Sequence, residues 1–267
     1  MRVLLTGAAG HIGRVVAERL GDQHEFRGLD LRSAPAGWRG EFVTGDCADP
    51  AVAGPAVAGM EAVVHLAGIP TEAGLPEILR SHVESTAAVL DAMVQHGVRR
   101  MVYASRNHAV GMTPRTELLP ATAGPRPDTF YGVGKVAAEA LLSLYADRYD
   151  ITSVAVRIGS FLERPTSKRN LATWLSYDDC AALVQAALTA ELDGVATIYG
   201  ISANRDAWWD LDAGRAIGYH PTDDAADHES TIEPKEDDDA EAAHVGGPFA
   251  TDALDRRPFT DDGGERR

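Results

Sequence analysis

Two cysteines in 267 residues, Cys47 and Cys180, lie far apart in sequence. They leave no material for a disulfide framework or a cysteine-based metal site, and both are expected as reduced core thiols. No His, Cys, Asp or Glu cluster has zinc, iron or calcium spacing, so no metal is expected. Aromatic residues make up only 6% of the chain, and no apolar run approaches the ~20 residues of a membrane span. Basic residues are also in the minority, 25 Lys and Arg against 40 Asp and Glu for a net charge of −15. That balance argues against a polyanionic partner, and the pairs Arg99-Arg100 and Arg256-Arg257 form no basic stripe with interleaved aromatics, so no nucleic-acid partner is expected. Met1 leads through Arg2-Val3-Leu4-Leu5 directly into glycines, without the apolar core or cleavage site of a secretory signal. A cytoplasmic protein without membrane attachment is expected.

What remains is an ordinary globular composition, 45% hydrophobic and 24% charged, in a chain long enough for one large core. Short apolar runs near 2–6, 25–29, 41–44, 61–66, 99–104, 151–157 and 195–199 alternate with amphipathic stretches at 12–20, 76–96, 129–147 and 178–190. The run Val63-Val64-His65-Leu66 is apolar rather than alternating, as a strand covered on both faces must be. The pattern predicts an α/β fold, a Rossmann-type doubly wound parallel sheet with a small C-terminal substrate-binding portion. Residues 1–220 are expected to form a single domain, about 1–157 binding a nucleotide and 158–220 mainly binding substrate. Residues 221–267 hold 15 acidic and 5 basic side chains and read as an acidic C-terminal tail. Such a tail is expected to be solvated and loosely ordered. The alternative is docking through Val245-Gly246-Gly247-Pro248-Phe249 and Pro258-Phe259.

Thr6-Gly7-Ala8-Ala9-Gly10-His11-Ile12-Gly13 lies between the first strand and the first helix. Gly7 permits a tight turn, Gly10 lets backbone amides approach a pyrophosphate, and Gly13 allows close helix–strand packing, while the helix N-terminus favours negative charge. Asp30 ends the second strand about 20 residues on, where a carboxylate accepts hydrogen bonds from an adenosine ribose and repels a 2′-phosphate, so NAD is expected over NADP. Arg32 can offset that repulsion or is a solvated surface arginine. Gly45-Asp46-Cys47 and Leu66-Ala67-Gly68-Ile69 stand where loops cover the adenine and the nicotinamide ribose, with Asp46 equally readable as a cap for a helix over 49–58. His65 reads as a satisfied core histidine.

Tyr131-Gly132-Val133-Gly134-Lys135 opens a helix with phenol and ammonium on one face. A phenol of pKa near ~10 needs roughly 4 kcal/mol of differential stabilisation to act as a base near pH 7, which a lysine cation and a positive nicotinamide ring can supply. These blocks, with His65-Leu66-Ala67-Gly68 and Arg157-Ile158-Gly159-Ser160, resemble the extended short-chain dehydrogenase/reductases. More narrowly, Asn107-His108-Ala109-Val110-Gly111, Thr173-Trp174-Leu175-Ser176-Tyr177-Asp178-Asp179, Gly200-Ile201-Ser202-Ala203-Asn204 and Trp208-Trp209-Asp210 resemble uronate dehydrogenases and related NAD-dependent sugar dehydrogenases, over nearly the whole chain. The resemblance implies an enzyme that oxidises the anomeric carbon of an aldose, a hexuronate first, to a lactone. Catalytic Tyr131, Lys135, Arg106 and Asn107 are expected. NAD is expected on Gly7, Ala9, Gly10, His11, Ile12, Gly13, Asp30, Leu31, Asp46, Cys47, Leu66, Ala67, Gly68, Tyr131, Lys135 and Ile158. A sugar acid or sugar phosphate is expected against Pro70, Arg106, Asn107, His108, Ser160 and Arg169, in a homo-oligomer. Bland alternatives stand beside some of these: His108 bracing its loop, Ser160 and Ser176 as helix caps, Arg169 as a surface charge, and Trp208 and Trp209 as core.

Three positions depart from the family's pattern. Arg106 stands where a hydroxyl donor is usual, Pro70 replaces a substrate-contacting serine, and His82 an asparagine. Arginine has five donors and no acceptor, so it cannot relay a proton. Ser105 cannot step in, because adjacent strand residues face opposite sides. The leading expectation is that Arg106 stabilises the Tyr131 phenolate and binds a substrate carboxylate or phosphate. The others are a catalytically weak NAD-binding sensor, or an Arg106 turned away while Asn107 polarises the substrate. A sugar-phosphate dehydrogenase and a nucleotide-sugar epimerase are the remaining alternatives.

Overall fold

The structure, a computed structural model, describes residues 1–115 and 118–254. Strands and helices alternate from the first residue: β1 (Arg2–Thr6), α1 (His11–Leu20), β2 (Glu25–Asp30), β3 (Phe42–Thr44), α2 (Pro50–Val57), β4 (Ala62–His65), α3 (Leu75–Ile78), α4 (Ser85–His96), β5 (Arg100–Arg106), α5 (Phe130–Tyr149) and β6 (Thr152–Ile158). The short β7 (Ser160–Phe161), α6 (Asn170–Thr173) and β8 (Trp174–Leu175) precede α7 (Tyr177–Thr189), β9 (Val195–Gly200), α8 (Asp212–Ala216) and α9 (Asp238–Glu241). The main sheet is parallel, with order β3-β2-β1-β4-β5-β6-β9, and β7 pairs with β8 apart from it. This is the expected doubly wound Rossmann-type sheet.

Both faces of the sheet are covered, which explains the apolar strand composition. In β4, Ala62 and Val64 join a cluster with Val15, Val16, Leu183 and Val184 of α1 and α7. Val63 points the other way, among Ala53, Val89, Met93, Ala138 and Leu142 of α2, α4 and α5. Helix ends follow local chemistry: Thr129 Oγ1 accepts from Gly132 N at 3.1 Å to start α5, and Ser176 Oγ accepts from Asp179 N at 3.0 Å to start α7. The expected long helix over 76–96 contains a π-helical turn, Leu79–Glu84, between α3 and α4. Its wider winding turns His82 into the interior, where it is 1% exposed. Trp208 and Trp209 are core residues, Trp209 stacked on Tyr199 at 5.3 Å between ring centroids.

The acidic tail divides. Glu236, Asp237 and Asp239 are exposed, as solvated charge should be. Further on, the loosely ordered reading is corrected: Val245 N donates to Thr113 O at 3.0 Å, Gly246 N to Gly111 O at 2.9 Å, and Val245 is 1% exposed. Apolar burial and backbone pairing outweigh chain entropy there. Pro258-Phe259 and Arg256-Arg257 lie outside the described residues.

On β5, Ser105 faces away from the carboxyl-edge site. Its hydroxyl donates to Glu139 Oε1 at 2.5 Å, and Glu139 also holds Arg157, Nη2 to Oε2 at 2.9 Å. The Arg157 side chain is 5% exposed, so its charge depends on this carboxylate. Glu139→Ala is expected to cost roughly 3–5 kcal/mol of unfolding free energy in urea titrations, because it strands a buried guanidinium.

Candidate active site

The sheet order reverses between β1 and β4, and it is at this point that an open α/β sheet leaves a crevice beyond its strand ends. Gly7 turns there with φ +68°, and a Cβ on it would meet Ala67 N at 2.8 Å and Leu66 C at 2.9 Å. Only glycine allows the β1 turn to lie against the β4 turn. A Cβ on Gly13 would meet Gly7 O at 2.5 Å, which explains the third glycine. Thr6 Oγ1 ties the two turns, bonded to His65 Nδ1 at 2.7 Å and accepting from Ala67 N at 3.2 Å. No side chain caps the start of α1, so its first amides remain free of side-chain acceptors. The turn therefore fits a dinucleotide pyrophosphate: a cradle from which side chains are excluded, opening onto uncapped amides.

Other residues expected around the nucleotide are placed unevenly. Asp30 is buried and accepts from Ala9 N at 2.9 Å, which pins the carboxylate beside the turn. Leu31 is 72% exposed at the same strand end. Asp46 does not cap α2. That cap is Asp49, whose Oδ1 accepts from Ala51 N at 2.9 Å, while Asp46 accepts from Ala48 N and pairs with Arg80 at 2.8 Å. Cys47 is buried, and burial raises its thiol to about 12, so it is inert packing. His11 reaches across to Tyr177 Oη at 2.5 Å, and Ile12 packs against the core on the α1 side. Gly68 takes φ +149°, and a Cβ on it would strike the His82 ring.

Tyr131, 5% exposed, starts α5, whose first amides at Phe130 and Tyr131 donate to Glu72 at 3.2 and 2.8 Å. Its ring lies edge-on between His82 (5.2 Å between centroids) and His108 (5.7 Å). Lys135 shares this face, with Nζ 5.5 Å from the Tyr131 ring centroid, and donates to Ala104 O at 2.7 Å. Arg106 donates from Nη1 to Gly159 O at 2.6 Å, leaving its Nε buried without a partner. Asn107 and Arg169 meet on one acceptor, the carbonyl of Val245, from Nδ2 at 3.2 Å and Nη2 at 2.7 Å. The Nη1 of Arg169 is buried and unpartnered, which removes the surface-charge reading. Ser160 bonds to Thr173 Oγ1 at 2.8 Å rather than capping a helix, Ile158 is buried at the end of β6, and Pro70 is exposed.

Electrostatics revise the expected balance at the phenol. Burial raises the Tyr131 pKa, and the opposing pull comes from the Arg106 guanidinium. Burial, and then the charge of Arg106, lowers Lys135 to about 7, so the lysine is only a partial cation at neutral pH. His108 is buried and its pKa is lowered, first by desolvation. Its Nδ1 lies 2.7 Å from Asp128 Oδ2, and a carboxylate acceptor requires the proton on Nδ1, leaving Nε2 as an acceptor.

The profile of the NAD dependent epimerase/dehydratase family matches residues 3–175. The uronate dehydrogenase of Pseudomonas putida is 39% identical over 255 residues, covering 93% of this chain and 95% of that one. An NAD-dependent glucose-6-phosphate dehydrogenase of Haloferax volcanii is 36% identical, covering 87% and 97%. The crystal structure of Agrobacterium tumefaciens uronate dehydrogenase, as a tyrosine-to-alanine mutant complexed with NAD, superposes with a TM-score of 0.89 at 36% identity, covering 97% of this chain and 99% of that one. The chain belongs to the NAD dependent epimerase/dehydratase family. It is an NAD-dependent dehydrogenase of that family.

Within this family site, three contributors escape sequence reasoning. Asp128 and Glu72 act through contacts whose partners are distant in sequence, and no spacing marks them. Phe249, whose ring lies tilted against His108 at 4.3 Å between centroids, is marked in the sequence only as one of the tail's apolar anchors. One prediction concerns Lys135. Its folded pKa lies below the unfolded value of 10.5, so the unfolded chain binds more protons between about 7 and 10.5, and stability rises with pH across that window. Urea midpoints measured from pH 6 to 9 should climb in the wild type and flatten in Lys135→Met.

Proposed function

We propose that the protein oxidises the anomeric carbon of a hexuronate to a lactone, with Tyr131 as the base. The observation that carries this reading is a buried phenol within reach of the Arg106 charge, with Arg169 in turn near Arg106, and both guanidiniums carrying a buried nitrogen without a partner. NAD, when bound, takes up the hydride. Residues up to about 157 hold the dinucleotide, and residues 158–220, with the docked tail, wall the sugar. The Tyr131 phenolate, which Arg106 stabilises in place of the missing hydroxyl donor, takes the proton of the C1 hydroxyl and becomes a neutral phenol. Arg169 binds the substrate carboxylate through the guanidinium edge not spent on Val245. His108 Nε2 accepts from a sugar hydroxyl, its tautomer set by Asp128. The Ser160–Thr173 pair offers one further hydroxyl contact. Val133 and Leu144, exposed on one side of α5, support self-association. No helix among the described residues is long and apolar enough to cross a membrane, and buried reduced thiols suit the cytoplasm.

Steady-state NADH formation with a panel of hexuronates and sugar phosphates tests this reading. Turnover with hexuronates is expected, and tight NAD binding without turnover of any of them would sink it. Tyr131→Phe should lower kcat by about 10²-fold or more while leaving NADH affinity intact. Because the base must be deprotonated, activity rises with pH through its pKa. Removing the cation raises that pKa, so Arg106→Ala should move the limb of the kcat profile up by about one pH unit, roughly a tenfold loss at pH 7. An unmoved limb would mean that Arg106 does not act on the phenol.

A further inference from the structure

β2 ends in Asp30-Leu31-Arg32, and the carboxylate there is not bare. Its Oδ2 accepts from Ala9 N at 2.9 Å, while Oδ1 accepts from Arg32 N at 2.9 Å and Arg32 Nε at 3.2 Å. A carboxylate in this position rejects a 2′-phosphate by charge repulsion. Here the guanidinium lies directly on it, so a phosphate approaching the adenosine ribose meets an ion pair.

The same arginine has donors to spare. Only its Nε and backbone amide are engaged, and among the described residues no protein acceptor takes its Nη groups. The side chain is 65% exposed, and Nη2 stands 3.8 Å from where a Cβ on Gly10 would lie, over the turn that leads into the uncapped α1. Two parallel N–H groups on a planar, permanently charged fork match a phosphate's oxygens. Asp30 keeps lone pairs on Oδ2 for a ribose hydroxyl, so a site for the phosphate does not abolish the one for NAD.

We propose that Arg32 forms a 2′-phosphate site beside the glycine turn, so that the protein binds NADP(H) as well as NAD(H). The inference rests on the dinucleotide reading of the turn and is independent of the sugar. Unlike a base at the sheet's edge, the site discriminates only between cofactors.

Binding is read without substrate, by titrating the full-length protein with NADH and NADPH and following nicotinamide fluorescence or heat. Wild type should hold NADPH within about tenfold of NADH, with a Kd for NADPH that rises more steeply with salt, as an exposed charge contact requires. Arg32→Ala should weaken NADPH tenfold or more, keep NADH within about threefold, and be partly rescued by Arg32→Lys. An NADPH Kd more than tenfold above that of NADH in wild type overturns the proposal. So does an Arg32→Ala variant that weakens both dinucleotides equally, since the arginine would then serve only to orient Asp30. Should Arg32→Ala fail to fold, the wild-type ratio and its salt dependence decide. Failure of both dinucleotides to bind would instead refute the reading of the turn itself.

Discussion

Buried positive charge is the constraint around which this molecule is organised. Arg106, Lys135 and Arg169 gather at the carboxyl edge of the sheet, and among the described residues none of them has a carboxylate within ion-pair distance. Removing such groups from water costs several kcal/mol each unless an anion compensates. The protein meets part of that cost with carbonyls, those of Ala104, Gly159 and Val245, and part by lowering the lysine's pKa. What is left is a field that favours a negative ligand, and at the phenol the Arg106 charge opposes the rise in pKa that burial imposes.

The scaffold makes this arrangement tolerable by separating two kinds of charge. On the opposite side of β5, Arg157 is matched by Glu139, whose carboxylate also accepts from Ser105, forming a structural ion pair. Strand alternation keeps the two sets apart: Ser105 and Arg106 are neighbours in sequence, yet one serves the matched pair and the other the unmatched site. Where a hydroxyl both donates and accepts, the Arg106 guanidinium only donates, here to Gly159 O.

The docked tail completes the site from outside the sheet. Val245 offers one carbonyl to both Asn107 and Arg169, and Phe249 lies against His108. Three site residues are therefore contacted by a segment more than a hundred residues from β5. A left-handed Gly247, φ +63°, packs directly under the Arg169 guanidinium, where a side chain would collide.

Periodicity and glycine placement in the sequence determined the strands, the main helices, the parallel doubly wound class and the glycine turn. Each of these depends on local sterics or on the two-sided burial of short apolar runs. Tyr131 and Lys135 were legible for the same reason, since four residues bring two side chains onto one helix face. The π turn at Leu79–Glu84 was not legible, because one extra residue in a helical ladder leaves the apolar pattern almost unchanged. The docking of the acid-rich tail was legible only as the alternative, since its composition argues for solvation while the apolar residues around Val245 and their backbone bonds decide otherwise. How much charge Lys135 carries was decided only by tertiary structure: burial and the neighbouring Arg106 guanidinium lower it to about 7, and such long-range electrostatics exist only once the chain has folded.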